Sequence, residues 1–92
     1  MPPKLEWRAP ARADLQAILD YIANDNPDAA LALLDEIDSK LARLPQNPKL
    51  YKTGRVKGTR ELVVRPNYIV VYAEDARTIT VLRVLHAARR RP

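Results

Sequence analysis

The side chains that could do acid–base or anion chemistry crowd into the second half of the chain. His86, the single histidine, stands where an apolar run from Ile79 to Leu85 gives way to Arg89, Arg90 and Arg91. Histidine is the side-chain type best suited to move a proton at neutral pH. The same position also suits a half-buried polar group that closes a strand end. Glu61 is the sole acid amid Lys57, Arg60 and Arg65. That setting makes it a charge-balancing group more readily than a base. Arg83 interrupts the apolar run and shares its alternation with Ile79, Val81 and Leu85, so it either lies on a partly open face or pairs with a carboxylate such as Glu61. Arginine stays protonated and can only hold an anion.

Charge is divided along the chain. Residues 1–48 carry five Lys/Arg against eight Asp/Glu, a net of −3, whereas residues 49–92 carry eleven against three, a net of +8. The second half is the part that meets an anionic macromolecule, and Arg89 to Arg91 either add to its field or form a solvated terminal run. Ninety-two residues read as one domain over 1–92, enough to remove roughly 60–65% of the unfolded surface from water. Cysteine is absent and no Cys/His cluster has metal-ligand spacing, so no cofactor or metal is expected and a reducing compartment is compatible. No Gly-rich nucleotide loop is present. The start, Met1-Pro2-Pro3-Lys4, has no apolar signal stretch, and no run approaches a membrane span. The expected location is cytoplasmic.

These groups must be positioned by a small set of elements. Leu5 and Trp7 alternate with Lys4, Glu6 and Arg8 before Pro10, which predicts a short edge strand, with Trp7 plugging the core or its margin. From Ala11 to Ala23, Leu15, Ile18, Leu19 and Ile22 form one apolar stripe of a helix, with Asp14, Gln16 and Asp20 on its outer face. Asn26 and Pro27 supply the cap and first position of a second helix. Ala30, Leu34, Ile37, Leu41 and Leu44 form its seam, and Pro45 and Pro48 end it. The period then changes. Leu62 to Val64, Tyr68 to Tyr72 and Ile79 to Leu85 read as strands joined by the short turns 65–67 and 74–77, an antiparallel meander. The layout is β-α-α-β-β-β, an α+β fold with a helical hairpin on one face of a mainly antiparallel four-strand sheet. Tyr68 and Tyr72 share one side of their strand and Ile69 and Val71 the other. The aliphatic pair is expected to face the helices, leaving the two rings for a partner peptide or a nucleobase, or for cross-strand packing.

This layout, the block Gly54 to Val64, the strand Tyr68-Ile69-Val70-Val71-Tyr72 and the ending Val81-Leu82-Arg83-Val84-Leu85-His86-Ala87-Ala88-Arg89 resemble the ParE/RelE superfamily of bacterial type II toxin–antitoxin toxins. The resemblance covers nearly the whole chain. It implies a toxin neutralised by a cognate antitoxin, with an acidic amphipathic segment wrapping around it in a hetero-oligomer. It also implies one of two activities. RelE-like members cleave messenger RNA on the ribosome, whereas ParE-like members act on DNA gyrase and leave broken, protein-linked DNA; some such modules stabilise plasmids.

The central strand separates the branches. The ribonuclease pattern is Tyr-Arg-aliphatic-aliphatic-Tyr, with Arg on the scissile phosphate, and here that place is Ile69. Losing one pre-aimed charge at a transition state costs about 3–4 kcal/mol. The Tyr often found near the ribonuclease C-terminus is also missing after His86. The ParE-like reading is therefore preferred, with no catalytic residues and no chemistry of its own. Target contacts are expected at Arg83, His86, Arg89, Arg90 and Arg91, and antitoxin contacts at Arg60, Tyr68, Tyr72 and Arg83. The alternative is a metal-independent endoribonuclease using Lys57, Arg65 and His86. No membrane partner is expected.

Overall fold

Asn26 is the pivot of the helical layer. Its extended backbone ends one helix, donating its N–H to the Ile22 carbonyl at 2.8 Å, and its side chain starts the next by accepting the Ala29 N–H at 3.1 Å. In the computed structural model, which describes residues 3–87, the elements are β1 (Lys4–Trp7), α1 (Ala9–Asp25), α2 (Pro27–Leu41), β2 (Lys52–Thr53), β3 (Arg60–Val64), β4 (Tyr68–Glu74) and β5 (Thr78–His86). Pro27 occupies the first position of α2, where a missing N–H costs nothing, and Asp28 and Lys40 suit the two ends of its dipole. α1 starts at Ala9 because Pro10 is tolerated within a first turn, so strand passes into helix with one intervening residue. Leu15, Ile18, Leu19 and Ile22 pack against the core as their spacing predicts. On α2 the buried set is Ala30, Leu33, Ile37 and Leu41, continued by Leu44. Leu33 rather than Leu34 joins the core; both are leucines, and spacing alone did not distinguish them.

The sheet has five strands in the order β1-β5-β4-β3-β2. β3, β4 and β5 form the expected antiparallel meander. β2 is an additional edge, only two residues long, in register Lys52↔Glu61 and Thr53↔Arg60. β1 closes the other edge in parallel with β5, from Lys4↔Thr78 to Trp7↔Val81. The α+β class holds, with a mixed sheet of five strands in place of four.

The faces are assigned the other way round from expectation. Leu62, Val64, Val70, Tyr72, Ile79, Val81 and Val84 join Leu33, Ile37, Leu41 and Leu44 in one core, and Tyr68 packs against it. Tyr72 is 0% exposed. Ile69 and Val71 therefore lie on the face away from the helices, beside their cross-strand neighbours Val63, Leu85 and Arg83. With no phenylalanine in the chain, tyrosine supplies the large ring of the core. Its hydroxyl donates to the Pro48 carbonyl at 3.2 Å, so its burial leaves no polar group unpaired.

A bulge also intervenes. Val71 pairs with Arg83 but Tyr72 pairs with Val81, leaving Leu82 as the extra residue. It moves Arg83 to the face opposite Ile79 and Val81, which corrects the alternation predicted for it.

Candidate functional site

β1 accompanies β5 only as far as Val81, where the Arg8 N–H reaches the Val81 carbonyl at 3.0 Å before the chain turns into α1. Beyond that point an aspartate of α1 meets the β5 edge. The Val84 N–H donates to Asp14 Oδ2 at 3.0 Å. Arg83 donates through Nε to Oδ2 at 2.6 Å and through Nη2 to Oδ1 at 2.9 Å, a forked pair. The Arg83 hydrogen bond holds the Asp14 carboxyl below its ordinary pKa, burial opposes that shift, and the Val84 N–H adds to it. The same hydrogen bond raises the Arg83 pKa. Beside this knot an open groove of about 240 Å³ runs between Asp14, Ala17 and Ile18 on α1 and residues 83–86 of β5. His86 lies on its wall and meets the Tyr68 ring edge-on, with centroids 5.4 Å apart and planes at 88°.

Two of the expected target contacts, Arg83 and His86, are thus brought to one groove. The Nε/Nη2 side of the Arg83 fork is occupied by Asp14, while the side chain remains 53% exposed. The partner of Arg83 is Asp14 rather than Glu61. Arg89, Arg90 and Arg91 lie outside the described residues.

The expected antitoxin set does not form one surface. Tyr72 is in the core and Tyr68 is half-buried against it. Arg60 donates through Nη1 to the Tyr51 carbonyl at 2.8 Å and lies 3.7 Å from Glu74, so it fastens the segment before β2 to the sheet. The ribonuclease trio is also divided. Lys57 precedes β3 and Arg65 follows it, with a five-residue strand of roughly 13 Å between them. Register places His86 at the Arg65 end, opposite Tyr68 and in line with Val64. Arg65 itself, at φ 57°, hydrogen-bonds Glu36 of α2 through Nε at 3.3 Å. Ile69 is flanked by Val63 and Leu85, and Arg83, the cation diagonal to it, is docked on Asp14.

Sequence reasoning missed what Asp14 and Glu36 do. Both helical acids reach across to arginines, Glu36 to Arg65 in the turn after β3 and Asp14 to Arg83 of β5, so part of the charge division between the halves is neutralised where the layers meet. Asp14 had a readable signal, since it precedes Ile18 by one helical turn and borders the apolar stripe. Glu61 is 4% exposed on the sheet face away from the helices, accepting the Arg55 N–H at 3.2 Å with the Lys52 ammonium 4.0 Å away. No helix among the described residues is long and apolar enough to cross a membrane.

The family described as ParE toxin of type II toxin–antitoxin system, parDE, matches residues 5–91. Toxin RelE2 of Caulobacter vibrioides is 39% identical over 87 residues, covering 90% of this chain and 93% of that protein. A protein of Sinorhizobium fredii described as a toxin, Y4kP, is 32% identical over 89 residues, covering 97% and 93%. Among solved structures, a chain of the chromosomal ParDE toxin–antitoxin system of P. aeruginosa superposes with a TM-score of 0.77 at 26% identity, covering 91% of this chain and 95% of that one. A chain of the RelBE2 toxin–antitoxin complex of Mycobacterium tuberculosis gives a TM-score of 0.60 at 26% identity, covering 96% and 94%. The helical hairpin, the sheet order and the extent of these matches together place the chain in the ParE toxin family of type II toxin–antitoxin systems, within the ParE/RelE superfamily.

Proposed function

We propose that this toxin acts by attachment, inhibiting DNA gyrase through the β5 end that carries Arg83, His86 and the basic tail, and that a cognate antitoxin with an acidic amphipathic segment neutralises it in a hetero-oligomer. The observation that carries the reading is Ile69. It sits on the face of the sheet away from the helices, between Val63 and Leu85, where a phosphate would find aliphatic side chains in place of a guanidinium. The wide separation of Lys57 from Arg65 and His86 supports the same reading, because general acid–base work needs its groups within hydrogen-bond reach of one phosphate.

The test is to incubate the purified chain with gyrase, ATP and relaxed or supercoiled plasmid. Loss of supercoiling with accumulation of cleaved, protein-linked DNA is expected. Unimpaired supercoiling at micromolar excess of toxin would refute the proposal. Programmed ribosomes with a defined A-site codon make the complementary test, and the message should stay intact.

A further inference from the structure

Of the expected antitoxin contacts Tyr72 is buried and Arg60 is engaged with Tyr51 and Glu74, which leaves Arg83, and an acidic partner can meet a second cationic contact elsewhere on the sheet layer. The loop between β2 and β3 offers one. Its shape is fixed by four hydrogen bonds: the Gly54 N–H to the Thr59 carbonyl at 2.7 Å, the Thr59 N–H and Oγ1 to the Val56 carbonyl at 3.1 and 2.6 Å, and the Arg55 N–H to Glu61 Oε2 at 3.2 Å. Gly58, at φ 86°, supplies the left-handed residue that the turn from Val56 to Thr59 requires. Gly54 is equally constrained, since a Cβ there would stand 2.4 Å from Thr59 Oγ1 and 3.3 Å from Glu61 Cγ. At the tip of this ordered loop Val56 is 67% exposed, between Arg55 and Lys57, with exposed Lys49, Lys52 and Leu50 in the segment leading to it.

An apolar knob bracketed by cations on a pre-ordered loop carries little ordering cost on association and complements a surface that is acidic around an apolar depression. We propose that the β2–β3 loop, held by the buried Glu61 carboxylate against Gly54, is a preformed docking element for the acidic amphipathic segment of the antitoxin, with Val56 as the apolar anchor and Arg55 and Lys57 as its charged rim. Lys57 and the rest of the loop stand at the end of β3 away from His86. Antitoxin grip and target contact are therefore separable on the molecule. This inference rests on the toxin–antitoxin reading, and its test distinguishes the two.

The antitoxin encoded beside the toxin gene is the probe, titrated against the full chain and against Val56→Ser and Lys57→Glu variants, whose exposed positions leave the fold intact. Each variant is expected to weaken antitoxin binding, Lys57→Glu by on the order of 30-fold, the scale on which like charges facing across an interface act. The salt dependence of binding should fall with it. Expressed in cells, the Val56→Ser variant should still arrest growth and should escape rescue by the antitoxin. Glu61→Ala, which removes the acceptor of the Arg55 N–H, reports the positioning role: it should weaken antitoxin binding while Val56→Ser in that background adds less than it does alone. If the native chain fails to bind the antitoxin, the toxin–antitoxin reading falls. If the native chain binds and the loop variants bind equally well, or if they lose toxicity while keeping antitoxin affinity, the docking assignment is overturned.

Discussion

Replacing Asp14 should cost more stability than replacing Arg83, although the two form one pair. Asp14 accepts three hydrogen bonds, and the decisive one comes from a backbone amide of Val84, a residue 3% exposed. In Asp14→Ala that amide loses its partner, a penalty of about 1–3 kcal/mol, whereas the half-exposed Arg83 contact is screened by solvent and contributes about 0–1 kcal/mol. The expected losses are roughly 2–3 kcal/mol for Asp14→Ala, about 1 kcal/mol for Asp14→Asn, which keeps an acceptor, and under about 1 kcal/mol for Arg83→Ala. For a domain of this size Asp14→Ala should lower Tm by roughly 10–20 °C. Urea titrations at neutral pH, with the double variant to close the cycle, measure these differences. The pH dependence has a defined sign. Because the folded protein holds the Asp14 carboxyl below its ordinary pKa, it binds fewer protons there than the unfolded chain does. The stabilisation is therefore complete above the unfolded value of about 3.9 and is lost as pH falls through the lower folded value. The gap between native protein and Asp14→Asn should narrow across that acid range. If Asp14→Ala is no more destabilising than Arg83→Ala, the edge-capping argument is wrong.

Other perturbations probe other joints. Tyr72→Phe should cost about 1 kcal/mol through the lost bond to Pro48, and Tyr72→Ala about 3–5 kcal/mol, both read from denaturant midpoints. An unchanged midpoint in Tyr72→Ala would contradict its place in the core. Arg65→Gly removes a left-handed backbone penalty of about 1 kcal/mol and gives up only the exposed Glu36 pair, so thermal unfolding should show unchanged or raised stability. Gly54→Ala should disturb the β2–β3 loop through contact with Thr59, seen as shifted amide resonances confined to residues 52–61 and a stability loss of about 1–3 kcal/mol.

The helical layer was legible because Asn26-Pro27 encodes a cap locally and the α1 stripe is read over neighbouring turns. The meander was legible for the same reason, since each strand is an apolar run with a short turn. Alternation in β4 defined two faces, but not which of them met the helices. The inference that aliphatics go inward failed at Tyr72, whose ring fills the core and whose hydroxyl found a carbonyl 24 residues earlier. β2 was hidden because two residues carry no period. The Asp14–Arg83 knot joins residues 69 apart, and the bulge at Leu82 that turns Arg83 has no local signature in the sequence. At the site the structure brings Arg83 and His86 to one groove and places Ile69 on the face away from the helices, between Val63 and Leu85.

The most direct measurement of action by attachment is to induce the toxin in cells and examine DNA and messages together. Gyrase subunits covalently trapped on chromosomal DNA, with no new message ends at codon-spaced positions, are the predicted result. Codon-spaced cleavage of messages with gyrase free of DNA would contradict it.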